Sequence, residues 1–171
     1  MSHLDDVRLR PAVPADARVF TIEAVAAKIG EDAPALAERI TVVTPGEAFD
    51  VDGLPIKAVG EMHAVIHPEL PRFHNSGFVI TAGTEKVFHP GDALTGPDEY
   101  VDVLLAPVCA PWMRVSEGVD FARAVGAPRN LAIHDRIFSD AGLGIVDTQM
   151  NAFLPKQGLS FVRLADGEDL A

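Results

Sequence analysis

Three short stretches of the chain each place a metal-competent side chain just after a run of strand-forming residues. They are Val59-Gly60-Glu61-Met62-His63-Ala64-Val65-Ile66-His67, Phe88-His89-Pro90-Gly91-Asp92 and Leu131-Ala132-Ile133-His134-Asp135. Strand ends are rigid, and the loops that leave them converge on one edge of a sheet, so ligands far apart in sequence can meet there. Two imidazoles and a carboxylate suit zinc, iron or manganese, and an open coordination position lets such an ion acidify water. Gly91 lets the backbone come close to whatever Asp92 holds, and Pro90 stiffens the approach. Any one histidine at a strand end is more often a hydrogen-bonded structural residue than a ligand. The order and shared setting of all three favour a site.

The elements that must position these residues follow from pattern. Arg18-Val19-Phe20 reads as a strand, leading to a helix over Ile22–Ile29 that Gly30 stops, and a second helix is expected over Pro34–Arg39. Thr41–Val43, Phe49–Val51 and Ile56–Val59 read as strands, with turn chemistry at Asp52-Gly53. Phe78–Thr81 and Lys86–Phe88 flank Ala82-Gly83-Thr84-Glu85 as a hairpin. Val101–Ala106 is an apolar strand interrupted only by Asp102, the pattern of burial on both faces. Ser116 is the expected N-cap of a helix ending at Gly126. Asn130–Ile133 is a short buried strand, followed by a helix over Leu143–Phe153 and a last strand over Ser160–Leu164. Hairpins first and strand-helix-strand units later predict one layered α/β domain with mixed pairing, spanning the 171 residues.

Composition limits the partners. With 14 basic and 25 acidic side chains the net charge is −11. Such a surface repels phosphate backbones and anionic lipid heads, so neither nucleic acid nor a membrane is an expected partner; a small-molecule substrate is. The single cysteine, Cys109, permits no intrachain disulfide. The polar, acidic N-terminus does not read as a signal peptide, which needs basic and then apolar residues, and a cytoplasmic location is the default expectation.

In order and spacing, Gly60-Glu61-Met62-His63, His89-Pro90-Gly91-Asp92 and Ile133-His134-Asp135 resemble the third, fourth and fifth metal motifs of the metallo-β-lactamase superfamily. His63-Ala64-Val65-Ile66-His67-Pro68, Pro71 and Asn75-Ser76-Gly77 are similar to the branch that holds ascorbate-6-phosphate lactonase-like hydrolases. The resemblance runs from about Ile40 to Met150. It implies an αββα sandwich of the α/β class in which His63 ligates one divalent ion, Asp92 bridges two and His134 ligates the second. The implied cofactor is zinc, with manganese or iron as alternatives. The implied reaction is attack of activated water on a small ester, lactone or phosphoester. Asp92 is then the catalytic residue.

One motif of the resemblance is missing. The sequence contains no His-x-His-x-Asp-His run, and only Ser2-His3-Leu4-Asp5-Asp6 is similar to its end. By resemblance His3 falls at the last histidine, and the fold lacks its N-terminal strands and most of its first metal motif. A chain truncated in this way is expected to expose a sheet edge and to form homo-oligomers. The alternative is a degenerate domain that binds or assembles without catalysis. Around the site, His67, Asn75 and Trp112 are candidates to touch substrate. Asn75 is equally a turn residue, and solvation is an equal reading for His67 and His74. His89 is expected beside the ligands or in a pocket wall. Cys109, in apolar surroundings with no adjacent histidine, reads as a small buried hydrophobe rather than a nucleophile.

Overall fold

A computed structural model describes residue 14, residues 16–60 and residues 62–170. His3, Ala12-Val13 and Glu61 lie outside the described residues. The described residues fall into two compact units that divide between Glu47 and Ala48.

In the first unit β1 (Val19–Thr21) pairs in parallel with β2 (Ile40–Val42), and α1 (Glu23–Asp32) and the short α2 (Pro34–Ala37) form the connection. Helix α1 runs through Gly30 instead of stopping there. Nothing lies where a Cβ on Gly30 would sit, and its backbone is not left-handed. The helix ends at Ala33 (φ −146°, ψ 69°) because the proline that follows drives its predecessor out of the helical region. Helix α2 is shorter than expected and gives way to a turn before Arg39.

The second unit is a seven-stranded sheet in the order β3-β4-β5-β6-β7-β8-β9. Its strands are β3 (Ala48–Val51), β4 (Leu54–Val59), β5 (Gly77–Ala82), β6 (Glu85–His89), β7 (Val103–Pro107), β8 (Arg129–Ile133) and β9 (Ser160–Val162). Strands β3 to β6 pair antiparallel, and β6 to β9 pair in parallel. This is the mixed pairing that the alternation of patterns predicts. Asp52 and Gly53 both have positive φ (+54° and +87°), as a two-residue hairpin of the primed type demands. Asp102 precedes β7 rather than interrupting it. Its N–H donates to the Lys86 carbonyl at 2.8 Å and its carboxylate accepts the Lys86 N–H at 2.8 Å, so an acidic residue opens an apolar strand without an unpaired polar group.

Helices α3 (Val115–Val125) and α4 (Asp140–Phe153) touch one another and pack on β7 and β9 respectively. Phe88, Leu104, Ala106, Phe121, Val146 and Met150 form the centre of the core. Ser116 is not the N-cap of α3. Arg114 takes that place with extended backbone: the Glu117 carboxylate three residues on accepts its N–H at 2.6 Å and its carbonyl accepts the Glu117 N–H at 3.0 Å, which starts the helix two residues earlier. Gly126 (φ +71°) ends α3 as expected. Ser139 caps α4 through the Gly142 N–H, so the helix begins at Asp140, three residues before the expected start. Among the described residues no helix is long and apolar enough to cross a membrane.

Candidate functional site

The sheet directions explain why distant residues meet. Two antiparallel pairings separate β4 from β6, and two parallel pairings separate β6 from β8, so all three strands run the same way. Their C-terminal ends share one edge, the edge at which open α/β sheets carry ligands. His63 follows β4, Asp92 follows β6 and His134 follows β8 directly. The end of β7 adds Trp112 to the same edge.

Asp92 lies between the two imidazoles. Its Oδ1 is 2.7 Å from His134 Nε2, and its Oδ2 is 3.8 Å from His63 Nε2. The hydrogen bond from His134 is the main cause holding the Asp92 carboxyl below the usual aspartate range, against the opposing effect of burial. His134 has φ +62°, a left-handed conformation rare outside glycine, which turns the chain sharply at the end of β8. His63 is buried, with 6% of its surface exposed. Its Nδ1 lies 2.6 Å from the Ala64 carbonyl, which can only accept, so Nδ1 carries the proton. In the neutral ring Nε2 then presents a lone pair toward the Asp92 carboxylate.

Backbone contacts lock the loops together. The Ala64 N–H donates to the Asp92 carbonyl at 2.9 Å, and the His63 N–H donates to the Phe73 carbonyl at 2.9 Å. Asn75 is committed to the same scaffold: its Oδ1 accepts the Asp92 N–H at 2.8 Å and its Nδ2 donates to the Pro90 carbonyl at 3.0 Å. Gly91 (φ +66°) passes so near that a Cβ there would sit 2.3 Å from Asn75 Oδ1. The glycine is required by both conformation and space.

The other candidates separate clearly. His67 is exposed, and its Nδ1 accepts the Glu69 N–H at 3.2 Å within a turn. His74 pairs across an isolated bridge with Met62 and is exposed. His89 Nδ1 accepts the Gly91 N–H at 3.0 Å; burial first, and the nearby His134 second, push its pKa down. Cys109 is buried in the core as expected, and burial raises its thiol pKa. Trp112 packs edge-on against His63, with ring centres 5.4 Å apart. It helps to wall a cavity of about 320 Å³ that also touches His63, Arg72, Leu94, Thr95 and Glu117. Arg72, whose guanidinium donates to the His63 carbonyl at 3.1 Å, is the residue that sequence reasoning missed.

Among the described residues no group of three or more histidine, cysteine, aspartate or glutamate side chains is arranged as a closed metal site. The donor chemistry nevertheless fits a cation. Two ligands of one tetrahedral ion lie roughly 3.4 Å apart given bond lengths of about 2.0–2.2 Å. The gap of 3.8 Å between His63 and Asp92 is close to that, whereas the contact of 2.7 Å between His134 and Asp92 is closed as a hydrogen bond. The capped Nδ1 of His63 is the outer hydrogen bond that ligating histidines ordinarily make.

Comparison with known proteins agrees with this architecture. A protein of Mycobacterium tuberculosis, Rv0786c, is 38% identical over 148 residues, 84% of this chain and 66% of the relative. The metallo-β-lactamase fold protein YhfI of Bacillus subtilis superposes with a TM-score of 0.53 at 17% identity, over 74% of this chain and 51% of that one. CmlA of Streptomyces venezuelae, described as a diiron β-hydroxylase, superposes with a TM-score of 0.56 at 12% identity, over 80% of this chain and 35% of that one. The chain thus spans about two thirds of its curated relative and about half or less of these structures, whose likeness is one of fold. Residues 5–134, well over half of the sequence, match the model of the β-lactamase superfamily domain. With its mixed sheet and its three strand-end side chains at one edge, the chain belongs to the metallo-β-lactamase superfamily.

Proposed function

We propose that the chain is a metal-dependent hydrolase of small esters, lactones or phosphoesters, with His63, Asp92 and His134 as the residues that hold the cation. The observation that carries this reading is the pairing of His63 Nε2 with Asp92 Oδ2. Nδ1 is the protonated nitrogen, so in the neutral ring a lone pair faces a carboxylate oxygen across 3.8 Å in a buried corner. Two electron-rich atoms so placed attract a positive charge between them. A divalent ion bound there, zinc or alternatively manganese or iron, would polarise the scissile carbonyl or phosphoryl group and acidify water.

The protein's own residues supply the rest. Asp92, ionised at neutral pH, orients the attacking water. The Asn75 amide and the Ala64 N–H fix the position of Asp92 through its backbone. Trp112 excludes solvent on the His63 side. The finer reading, a lactonase-like member of the superfamily, rests on the runs His63–Pro68 and Asn75–Gly77. A second reading, a binding or assembly domain without catalysis, is favoured by the absence of a closed ligand set among the described residues.

Metal uptake separates the two. Zinc or manganese titrated into chelator-treated protein should change the emission of Trp112, the chain's only tryptophan, because its ring packs edge-on against His63. Elemental analysis should find the ion retained, and Asp92→Ala should lower the affinity at least about 10-fold and remove hydrolysis of generic nitrophenyl esters. Unchanged metal content and unchanged hydrolysis in Asp92→Ala overturn the assignment. No metal uptake by the unaltered chain leaves the non-catalytic reading.

A further inference from the structure

We propose that the cavity beside His63 is a recognition subsite for a substrate carrying a carboxylate, with Arg72 holding the anion and Trp112 covering the apolar part. The inference rests on the hydrolase reading above and narrows its substrate to small esters or lactones bearing a single negative charge.

The cations of the second unit give the first reason. In a chain of net charge −11, Lys57, Lys86, Arg129, Arg136 and Arg163 each pair with a carboxylate, Arg123 and Lys156 lie against Phe153 instead, and Arg114, which does not line the cavity, pairs with no carboxylate among the described residues. Arg72 lies in the cavity wall, yet among the described residues no carboxylate pairs with it. Its one hydrogen bond, from Nη2 to the His63 carbonyl at 3.1 Å, uses a single N–H. The remaining N–H groups are available to an oxyanion. A planar guanidinium fork matches a carboxylate in two parallel hydrogen bonds, which a lysine cannot reproduce.

The choice of anion follows from what else lines the cavity. Glu117 contributes a carboxylate, anchored by the Arg114 N–H at 2.6 Å. One guanidinium set against one carboxylate tolerates a monoanion. A phosphate monoester, at about −1.5 to −2 charge, would meet one cation and one repelling anion. Leu94 and Trp112 provide apolar surface for a short carbon chain, and a volume of about 320 Å³ holds only a small molecule. His63 forms part of the same wall, so a ligand anchored on Arg72 extends toward the residues that face Asp92.

Trp112 gives a readout independent of catalysis. Butyrate, butyramide and inorganic phosphate are titrated into the full chain while Trp112 emission is followed, with calorimetry as a second measure of binding. Butyrate should saturate, butyramide should not bind, and phosphate should bind at least about 10-fold more weakly than butyrate. Arg72→Met should weaken butyrate binding by about 10- to 100-fold, and Arg72→Lys should recover part of the loss. In turnover, nitrophenyl hydrogen succinate should be preferred over nitrophenyl acetate, and Arg72→Met should erase the preference. Equal binding of amide and carboxylate, tighter binding of phosphate, indifference to Arg72→Met, or no binding by either method overturns the subsite. Butyrate binding that depends on Arg72 without any hydrolysis would sink the hydrolase reading and keep the subsite. Hydrolysis that needs Asp92 but shows no preference for the succinate ester does the reverse.

Discussion

Between Asn75 and Gly91 the backbone leaves room for one amide group and nothing larger. Asn75 uses its oxygen on the Asp92 N–H and its nitrogen on the Pro90 carbonyl, and the missing side chain of Gly91 makes that approach possible. Asn75→Ala removes both partners from backbone groups beside the site and should lower stability by about 1–3 kcal/mol. Gly91→Ala should do so by a similar amount, because it adds a collision at 2.3 Å to a strained φ of +66°. The two effects share a cause, so they should not add. In the double variant the collision is relieved and only the strain and the lost hydrogen bonds remain. Urea denaturation of the four proteins tests this; strict additivity would show that the collision does not govern the site. The sequence reading left Asn75 open between a substrate contact and a turn residue. A side-chain amide's partner is a matter of tertiary approach, which a turn signature at Ser76-Gly77 does not specify.

At the scale of elements, the site depends on how tightly β5 lies against the end of β6. A Cβ on Gly77 would meet the His89 carbonyl at 2.8 Å and the Pro90 Cα at 3.0 Å, both backbone atoms that cannot swing away. Gly77→Ala should therefore lower stability by about 1–3 kcal/mol and disturb the exit that carries Asp92. Gly144 is the control. It lies inside α4 with open space where a Cβ would be, so Gly144→Ala should raise stability by up to about 1 kcal/mol. Shifts of the same sign in both variants, by thermal or urea denaturation, would show that spacing at β5 is not what constrains Gly77. These elements account for what was legible in sequence. His63, Asp92 and His134 stand out because each follows an apolar, strand-forming run, and strand direction does the rest. Arg72 does not, because the loop between His67 and His74 has no periodicity and its contacts come from the fold. Helix ends were legible where one residue decides, as at Gly126. They were not where two signals compete, as at Gly30 against Pro34 and at Ser116 against Glu117.

For the molecule as a whole, the response to acid follows from which groups the fold holds away from their ordinary protonation. His134 holds Asp92 low, Lys57 holds Asp98 low, and Lys86 with Lys57 holds Glu99 low. Burial, then His134, holds His89 low. In all four cases the unfolded chain binds its proton more readily, so stability falls as pH falls. The windows differ. The carboxylates act only below about 4, whereas His89 acts as pH drops below about 6.5. Its geometry gives the same sign, since Nδ1 accepts the Gly91 N–H at 3.0 Å and a proton there breaks that bond. Acidification also brings the chain from a charge of −11 toward its isoelectric point near 4.8, which relieves self-repulsion and works the other way. Comparison with His89→Asn removes this common effect, because the amide oxygen can accept the Gly91 N–H without titrating. With chelator present, the urea midpoint between pH 7.5 and 5.5 should fall further in the unaltered protein than in His89→Asn. An equal fall in the two would mean that His89 takes up its proton without breaking the turn that delivers Asp92 to the sheet edge.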